Sequence, residues 1–354
     1  MATIAAGPRV GAAGAGWLLP ACVAIALWSL APTLAALASR VPPLQLTALC
    51  MAVACAASAP LLRQAGTVDA SPAAVPLRQL LAAAALVMGA VAFYLAALRH
   101  VPAAEAALVA YTWPLFLTIA VELITTGRVR PGVVAGCVMA FGGAAALLQP
   151  DDGMALQPDP GHGLALASGL CWVGFSLLAR RGQASLNRAM ARVFALAAAL
   201  ALAGHVVLET ALWPIPGDVM AWIVFIGVGP YGLAFVFWQL AVQRGPGAVV
   251  GTLAYSVPVL STIVLIVAGM AAFDWRLPLA GLAVAGGCLL GAGPRLPRGL
   301  AGAVVRRLVL VPRGAGERSM QRLLLPVARV ALAAPLMALA ARRGVRHLRA
   351  ARGA

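Results

Sequence analysis

Two matching stretches of the chain carry hydroxyl side chains next to a proline inside apolar sequence. Each copy has a tyrosine, a proline and a threonine at i, i+3 and i+7, namely Tyr111, Pro114 and Thr118, and Tyr255, Pro258 and Thr262. This spacing places the three side chains on one face of a helix, and the proline frees a backbone carbonyl. Such a face could line a cavity and contact a substrate, or hydrogen-bond to a neighbouring helix. Trp113 lies about half a turn away, so we expect it to pack.

Aromatic side chains provide a second candidate surface for binding. Tyr231, Phe235 and Trp238 follow the spacing i, i+4, i+7, and Gln239 lies beside Trp238. Such a stripe suits an aromatic or hydrophobic substrate whose polar end the amide could orient, although core packing produces the same pattern. The other candidate substrate contacts are three aromatic residues, Trp28, Tyr94 and Trp172. Each of them has an aromatic counterpart 144 residues away in the chain.

Few ionisable residues lie within the apolar sequence. His205 and Glu209 are four residues apart and would share one helix face. A histidine–carboxylate pair could relay protons for coupling, but we favour a structural pair at this position. Glu122 is expected to pair with Arg128 or Arg130 at the end of its helix.

The composition is that of an integral membrane protein. The chain has 354 residues, of which 62% are hydrophobic and 10% charged, and its mean hydropathy is +0.95. The cysteines show no CxxC spacing, so neither a metal site nor a disulfide framework is predicted. No HExxH or GxSxG motif occurs, and a chain without lysine has no GxxxxGK[ST] phosphate loop. We therefore expect no enzymatic activity, no cofactor and no nucleic-acid partner.

A single repeat register organises the chain. The offset of 144 residues that relates Tyr111 to Tyr255 also relates two aromatic pairs, Trp28 with Trp172 and Tyr94 with Trp238. We predict an all-α integral membrane protein with ten transmembrane helices, arranged as two five-helix repeats. Because five is odd, the second repeat must be inverted relative to the first. Inverted repeats are typical of secondary transporters, whose substrate site lies near the membrane midplane.

The predicted boundaries divide the chain into five parts. They are an N-terminus (1–16), the first repeat (17–148), a linker (149–162), the second repeat (163–292) and an Arg-rich tail (293–354). The tail either forms an interfacial helix on the anionic leaflet or lacks order. The expected partners are a small-molecule substrate and the lipid bilayer, and the oligomeric state stays open.

The distribution of arginine predicts the orientation. All 26 basic residues are arginines. With a cytoplasmic N-terminus, all of them fall on the cytoplasmic side except Arg40, Arg99 and Arg276. Positive charge accumulates in cytoplasmic loops, so both termini are predicted to be cytoplasmic. A cleaved signal peptide is disfavoured because the first span is long and its Trp28 has a repeat partner.

Three motifs carry a family resemblance. They are Tyr-Thr-Trp-Pro-Leu at 111–115, Gly-Pro-Tyr-Gly-Leu-Ala-Phe-Val-Phe-Trp at 229–238 and Leu-Ala-Tyr-Ser-Val-Pro-Val-Leu-Ser-Thr at 253–262. They resemble the drug/metabolite transporter superfamily of EamA type, and within it the bacterial aromatic amino acid exporters. The resemblance implies ten helices in two inverted repeats, a cavity lined largely by spans 1, 3, 4, 6, 8 and 9, and a place in the bacterial cell (inner) membrane.

Together these observations predict a secondary transporter that exports small metabolites by alternating access. Aromatic or other hydrophobic amino acids are the expected substrates. An exporter of amphiphilic drugs or other metabolites would share the fold and differ in the polarity of its cavity. A non-transporting membrane scaffold that uses the basic tail to hold lipid or a partner is the third alternative.

Fusions to alkaline phosphatase, which is active only outside the cytoplasm, test the predicted orientation. We expect an active fusion after Asp152 and an inactive one after Arg188, because the arginine distribution places the first outside and the second inside. The reverse pattern would reject the orientation.

Overall fold

The computed structural model describes residues 15–65, 75–149, 159–267 and 272–292. The Arg-rich tail and most of the predicted linker lie outside these ranges. Every regular element within them is helical. Seven stretches are long and apolar enough to cross a membrane, namely Leu77–Ala97, Ala103–Thr126, Pro131–Leu148, Pro160–Arg181, Met190–Leu208, Gly217–Arg244 and Gly247–Ile266. Three shorter apolar helices accompany them, Leu18–Trp28, Pro43–Ala59 and Arg276–Gly291.

The described residues form fourteen α-helices. In chain order they are α1 (Leu18–Trp28), α2 (Ala31–Leu37), α3 (Pro43–Ala65), α4 (Leu77–Ala97), α5 (Ala103–Ala110), α6 (Trp113–Thr126), α7 (Pro131–Leu148), α8 (Pro160–Arg188), α9 (Met190–Leu208), α10 (Gly217–Val228), α11 (Ala234–Arg244), α12 (Gly247–Leu253), α13 (Ser256–Val267) and α14 (Arg276–Ala292). A π-helical segment, Gly229–Leu233, joins α10 to α11.

Prolines break the helices at equivalent places in the two copies. The chain turns at 111–112 between α5 and α6, and at 254–255 between α12 and α13. Pro114 and Pro258 explain both breaks, because a proline cannot bond to the carbonyl four residues earlier and its ring clashes with it. In both copies, the break falls at or next to the tyrosine of the predicted helical face and separates it from the helix that carries the proline and the threonine.

Glycines allow α7 and α14 to pack closely. A methyl group on Gly136 would overlap the carbonyl oxygen of Gly287, and one on Gly287 would overlap that of Gly136. Small residues at such an interface let two backbones approach each other in a membrane. Gly132 lies beside Leu290 while Gly143 lies beside Ala280 and Ala283, so the two helices are antiparallel. In the repeat register, α7 and α14 are equivalent helices.

Glu209 joins α9 to the start of α3. Its carboxylate accepts hydrogen bonds from the backbone N–H groups of Leu44 (2.8 Å) and Gln45 (3.0 Å). A carboxylate is stabilised at a helix N-terminus, where N–H groups lack intrahelical partners. His205 Nδ1 lies 2.8 Å from the same carboxylate. These contacts give the pair a structural role, and proton coupling through it stays a prediction.

The ion pair expected at Glu122 forms with Arg130. Both the Nε and Nη2 atoms of Arg130 donate to the buried carboxylate. The chain can turn back toward α6 and bring Arg130 to Glu122 because α6 ends at Gly127. The φ of this residue, 73°, is the left-handed conformation that favours glycine. The pair closes the end of α6 without leaving a buried charge unpaired.

Two glycines of α7 form a matched test of the α7–α14 interface. We expect Gly136→Ala to lower stability by about 1–3 kcal/mol, because the added methyl group forces the two helices apart. Gly142→Ala is the control, since nothing lies within 4 Å of the added atom. It should be neutral or stabilising by up to about 1 kcal/mol through helix propensity. Thermal unfolding of the purified variants measures both, and equal midpoints would contradict the assigned packing.

Candidate functional site

A cavity of about 340 Å³ lies in one half of the helix bundle. Its walls come from the junction of α1 and α2, the C-terminal part of α4, α5, the N-terminal part of α8, the π-helical segment and α13. We call this half the cavity end and the opposite half the packed end. The described residues that line the cavity include no Asp, Glu, His or Arg. Six of them carry hydroxyl groups, namely Tyr94, Tyr111, Ser168, Tyr231, Ser261 and Thr262.

Packed aromatic rings form the floor of the cavity. The ring centroids of Trp28 and Trp172 are 5.3 Å apart and nearly perpendicular, and those of Trp172 and Phe235 are 4.5 Å apart. Trp113 meets Trp28 edge-on at 6.5 Å. Such geometries match the preferred arrangement of aromatic pairs. The floor therefore presents apolar aromatic surface to a ligand.

Hydrogen bonds fix two indoles of this cluster. Trp28 Nε1 donates to the carbonyl oxygen of Pro230 at 3.0 Å, within the π-helical segment. Trp238 Nε1 donates to Ser176 Oγ at 3.1 Å. Trp238 itself is fully buried and packs against Trp28 (5.1 Å) and Trp113 (5.4 Å). It therefore supports the floor and does not line the cavity in this conformation.

The structure brings together eight of the thirteen residues predicted as substrate contacts. The residues on the cavity wall are Trp28, Tyr94, Tyr111, Trp172, Tyr231, Phe235, Pro258 and Thr262. The five that lie elsewhere are Pro114, Thr118, Trp238, Gln239 and Tyr255, all of them buried. Trp113, expected to face away, is on the wall because α6 begins at this residue, after the helix break.

The repeat explains four of these five placements. Their equivalents in the other copy all line the cavity, and the pairs are Pro114 with Pro258, Thr118 with Thr262, Trp238 with Tyr94, and Tyr255 with Tyr111. A sequence comparison between the copies identifies both members of each pair. It does not tell which member faces open space, because that depends on which end of the bundle is packed.

Close contacts between α12 and α6 fill the packed end. A methyl group on Gly251 would overlap the Thr118 hydroxyl and lie 3.4 Å from the Pro114 carbonyl oxygen, and one on Gly247 would overlap Val121. In the repeat register these five residues correspond to residues that all line the cavity, namely Ala107, Thr262, Pro258, Ala103 and Leu265. The residues that pack against one another at the packed end thus have equivalents that line the cavity at the cavity end.

Three buried side chains around the packed end and α11 have polar atoms without a partner among the described residues. They are Thr118 (Oγ1), Tyr255 (hydroxyl) and Gln239 (both amide atoms). The backbone N–H of Leu115 approaches the Tyr255 hydroxyl, and the Cys137 thiol approaches the Thr118 hydroxyl, but neither contact has hydrogen-bond geometry. The Tyr255 ring packs against Phe141, with centroids 6.0 Å apart.

Sequence reasoning missed Ser168, Ser261 and the small residues of α5. The Ser168 hydroxyl donates to the carbonyl oxygen of Ala90 at 2.6 Å, within the cavity wall. Ala103 and Ala107 could have been found, because the repeat register aligns them with Gly247 and Gly251. Small residues four apart in both copies indicate a helix face that must approach another helix closely.

Comparisons with known proteins agree with this architecture. The sequence profile of the EamA-like transporter family matches residues 15–149. The aromatic amino acid exporter YddG of Ancylobacter novellus is 36% identical over 198 residues, which are 55% of this chain and 69% of that protein. An uncharacterised protein of Pseudomonas aeruginosa is 34% identical over 193 residues, 52% of this chain and 64% of that protein.

A solved structure extends the similarity to the fold. One crystal structure superposes with a TM-score of 0.68 at 32% identity and covers 78% of this chain and 96% of its own. The helical architecture, the uncharged aromatic cavity and the similarity to YddG over two thirds of that protein point the same way. The chain is a multi-pass membrane protein that belongs to the EamA-like transporter family.

Proposed function

We propose that this protein is a secondary transporter that exports aromatic or other hydrophobic amino acids across the bacterial inner membrane by alternating access. The observation that carries the proposal is the cavity, which combines an aromatic floor with hydroxyl groups and no charged side chain among its described lining. The name of the relative from Ancylobacter novellus supports the same substrate class.

The cavity chemistry suits a neutral zwitterion with a flat side chain. Its volume, about 340 Å³, lies within the range of ~300–1,000 Å³ usual for small-molecule sites. An aromatic side chain can stack on Trp28, Trp113 and Trp172. The hydroxyls of Tyr94, Tyr111 and Tyr231 can both donate and accept, so they can meet an ammonium and a carboxylate.

We propose ten transmembrane helices in two inverted repeats, 17–148 and 163–292. In addition to the seven long stretches, α1 with α2 would form one span, α3 a second and α14 a third, which gives ten. Two equivalent helices, α7 and α14, pack antiparallel, and this supports inversion of one copy relative to the other. We place residues 1–16 and 293–354 in the cytoplasm, the latter with an interfacial helix, and the linker 149–162 outside. The cavity end then faces outward.

Alternating access would exchange the two ends of one set of contacts. In the described conformation Gly251 packs on Thr118, while their equivalents Ala107 and Thr262 are separated by the cavity. If α5 closed on α13 and α12 separated from α6, the described state would become the opposite-facing state. The substrate would meet one end at a time, as alternating access requires. Transport would follow an ion or substrate gradient.

The aromatic floor is tested by transport into proteoliposomes. We expect wild-type protein to transport tritiated L-tryptophan and L-phenylalanine. Trp172→Ala should raise KM about 10-fold, because aromatic contacts are worth ~0.5–1.5 kcal/mol each beyond burial and 1.4 kcal/mol corresponds to tenfold. Trp222→Ala is the matched control, since this half-buried indole packs on Phe225 away from the cavity. Equal effects of the two substitutions would count against the assigned site.

The exchange of ends is tested by thiol labelling in a cysteine-free background. Thr262→Cys places a thiol on the cavity wall, where a membrane-impermeant maleimide added outside should react. Gly251→Val should lower that reaction severalfold, because the added side chain overlaps Thr118 and prevents the packed end from closing. Ala107→Val, the equivalent change at the cavity end, should maintain or raise it. Identical labelling in both variants would reject the exchange.

A further inference from the structure

The hydroxyls of Thr118 and Tyr255 are buried without a hydrogen bond in the described conformation. Both residues are fully buried, and neither hydroxyl makes a contact of hydrogen-bond geometry among the described residues, since the Leu115 N–H and the Cys137 thiol only approach them. A buried hydroxyl without a hydrogen bond destabilises the state that buries it. Valine and phenylalanine would fill nearly the same space without this cost. The described conformation alone therefore gives no reason for a hydroxyl at either position.

The other copy shows what these hydroxyls can face. Tyr111 and Thr262 occupy the equivalent positions, and both line the cavity. The Thr262 hydroxyl donates to the Pro258 carbonyl oxygen at 3.0 Å, so it can still accept a hydrogen bond from a ligand. Equivalent hydroxyls thus face the cavity at one end and are enclosed at the other.

The two copies do not retain every hydroxyl. Three hydroxyl residues of the cavity have apolar equivalents, Tyr231 with Val87, Ser168 with Ala24, and Ser261 with Leu117. The copies have therefore diverged in polarity at several wall positions. The hydroxyls of Tyr255 and Thr118 are present despite that divergence and despite their burial, which calls for a role in another state.

We infer that Tyr255 and Thr118 are substrate contacts of the opposite-facing state, hidden in the described conformation. This inference rests on the proposed function and deepens it. When α12 separates from α6, both hydroxyls become available to the polar end of a zwitterionic amino acid. Trp28 and Trp172, which are equivalent to each other and lie on the floor, contact the side chain in both states.

Trp238 completes the hidden set. It is the equivalent of Tyr94, and its indole N–H is held by Ser176 while the packed end is closed. The substrate would therefore keep its aromatic contacts and exchange its polar contacts as the protein changes state. Loading from one side depends on Tyr255 and Thr118, and loading from the other side on Tyr111 and Thr262.

Side-specific transport kinetics test this inference with variants matched by the repeat. Wild type, Tyr255→Phe and Tyr111→Phe are compared in right-side-out and inverted vesicles with tritiated L-tryptophan. Tyr255→Phe should raise KM about 3- to 10-fold for substrate presented at the packed end, the value of one hydrogen bond. At the cavity end it should leave KM unchanged or lower it. Tyr111→Phe should show the reverse, and Thr118→Val and Thr262→Val should repeat the pattern.

Thermal unfolding of the purified variants separates this role from a structural one. Removal of an unpartnered buried hydroxyl should leave the midpoint of Tyr255→Phe unchanged or raise it. A lowered midpoint with equal KM changes on both sides, or no KM change on either side, would overturn the inference while the transporter assignment stands. If wild-type protein carried neither amino acid, the proposed function would fail and the inference with it.

Discussion

The structure depends on where backbone carbonyls can be left without a helical hydrogen bond. Inside a bilayer such groups are tolerated only where protein or a water-filled cavity covers them. Pro114 and Pro258 create these positions at the two helix breaks, and Pro230 lies in the π-helical segment. Within that segment, the Pro230 carbonyl oxygen accepts a hydrogen bond from the Trp28 indole N–H. The breaks therefore fix where the half-helices meet, and with them the position of the aromatic floor.

Duplication supplies two equivalent sets of residues, and in the described conformation one of the two sets is packed. Gly251 accepts the approach of Thr118 because it has no side chain, whereas a methyl group there, which the equivalent Ala107 carries, would overlap the hydroxyl. In the proposed opposite state, α5 and α13 must therefore lie farther apart than α12 and α6 do here. If both ends packed at once, the cavity would vanish, and if both opened, the bundle would lose the contacts that bury its core. In the proposed alternating access, the described arrangement and the opposite one would be the states between which a substrate shifts the population.

Much of the site could be predicted because it follows from spacing and from the repeat. Tyr111, Tyr231 and Thr262 were placed on a cavity from their positions in the sequence, and the structure puts them on its wall. Tyr255 and Trp238 could not be sorted from their equivalents, since the repeat relates them and only tertiary packing distinguishes the ends. The position of Trp113 was predicted wrongly because a helical wheel assumes a continuous helix, whereas the chain turns at 111–112 and α6 begins at Trp113.

The distribution of charge narrows what the cavity can hold. The three glutamates of the described residues act at or near helix ends. Glu209 caps α3, Glu105 in the first turn of α5 lies 3.0 Å from His162, and Glu122 pairs with Arg130. No charged side chain lies on the described cavity wall. A substrate with net charge would have to leave water for a site without a counter-charge, at a cost of several kcal/mol. A zwitterion carries its own counter-charge, so hydroxyl groups suffice for its polar end and the aromatic floor can select the side chain.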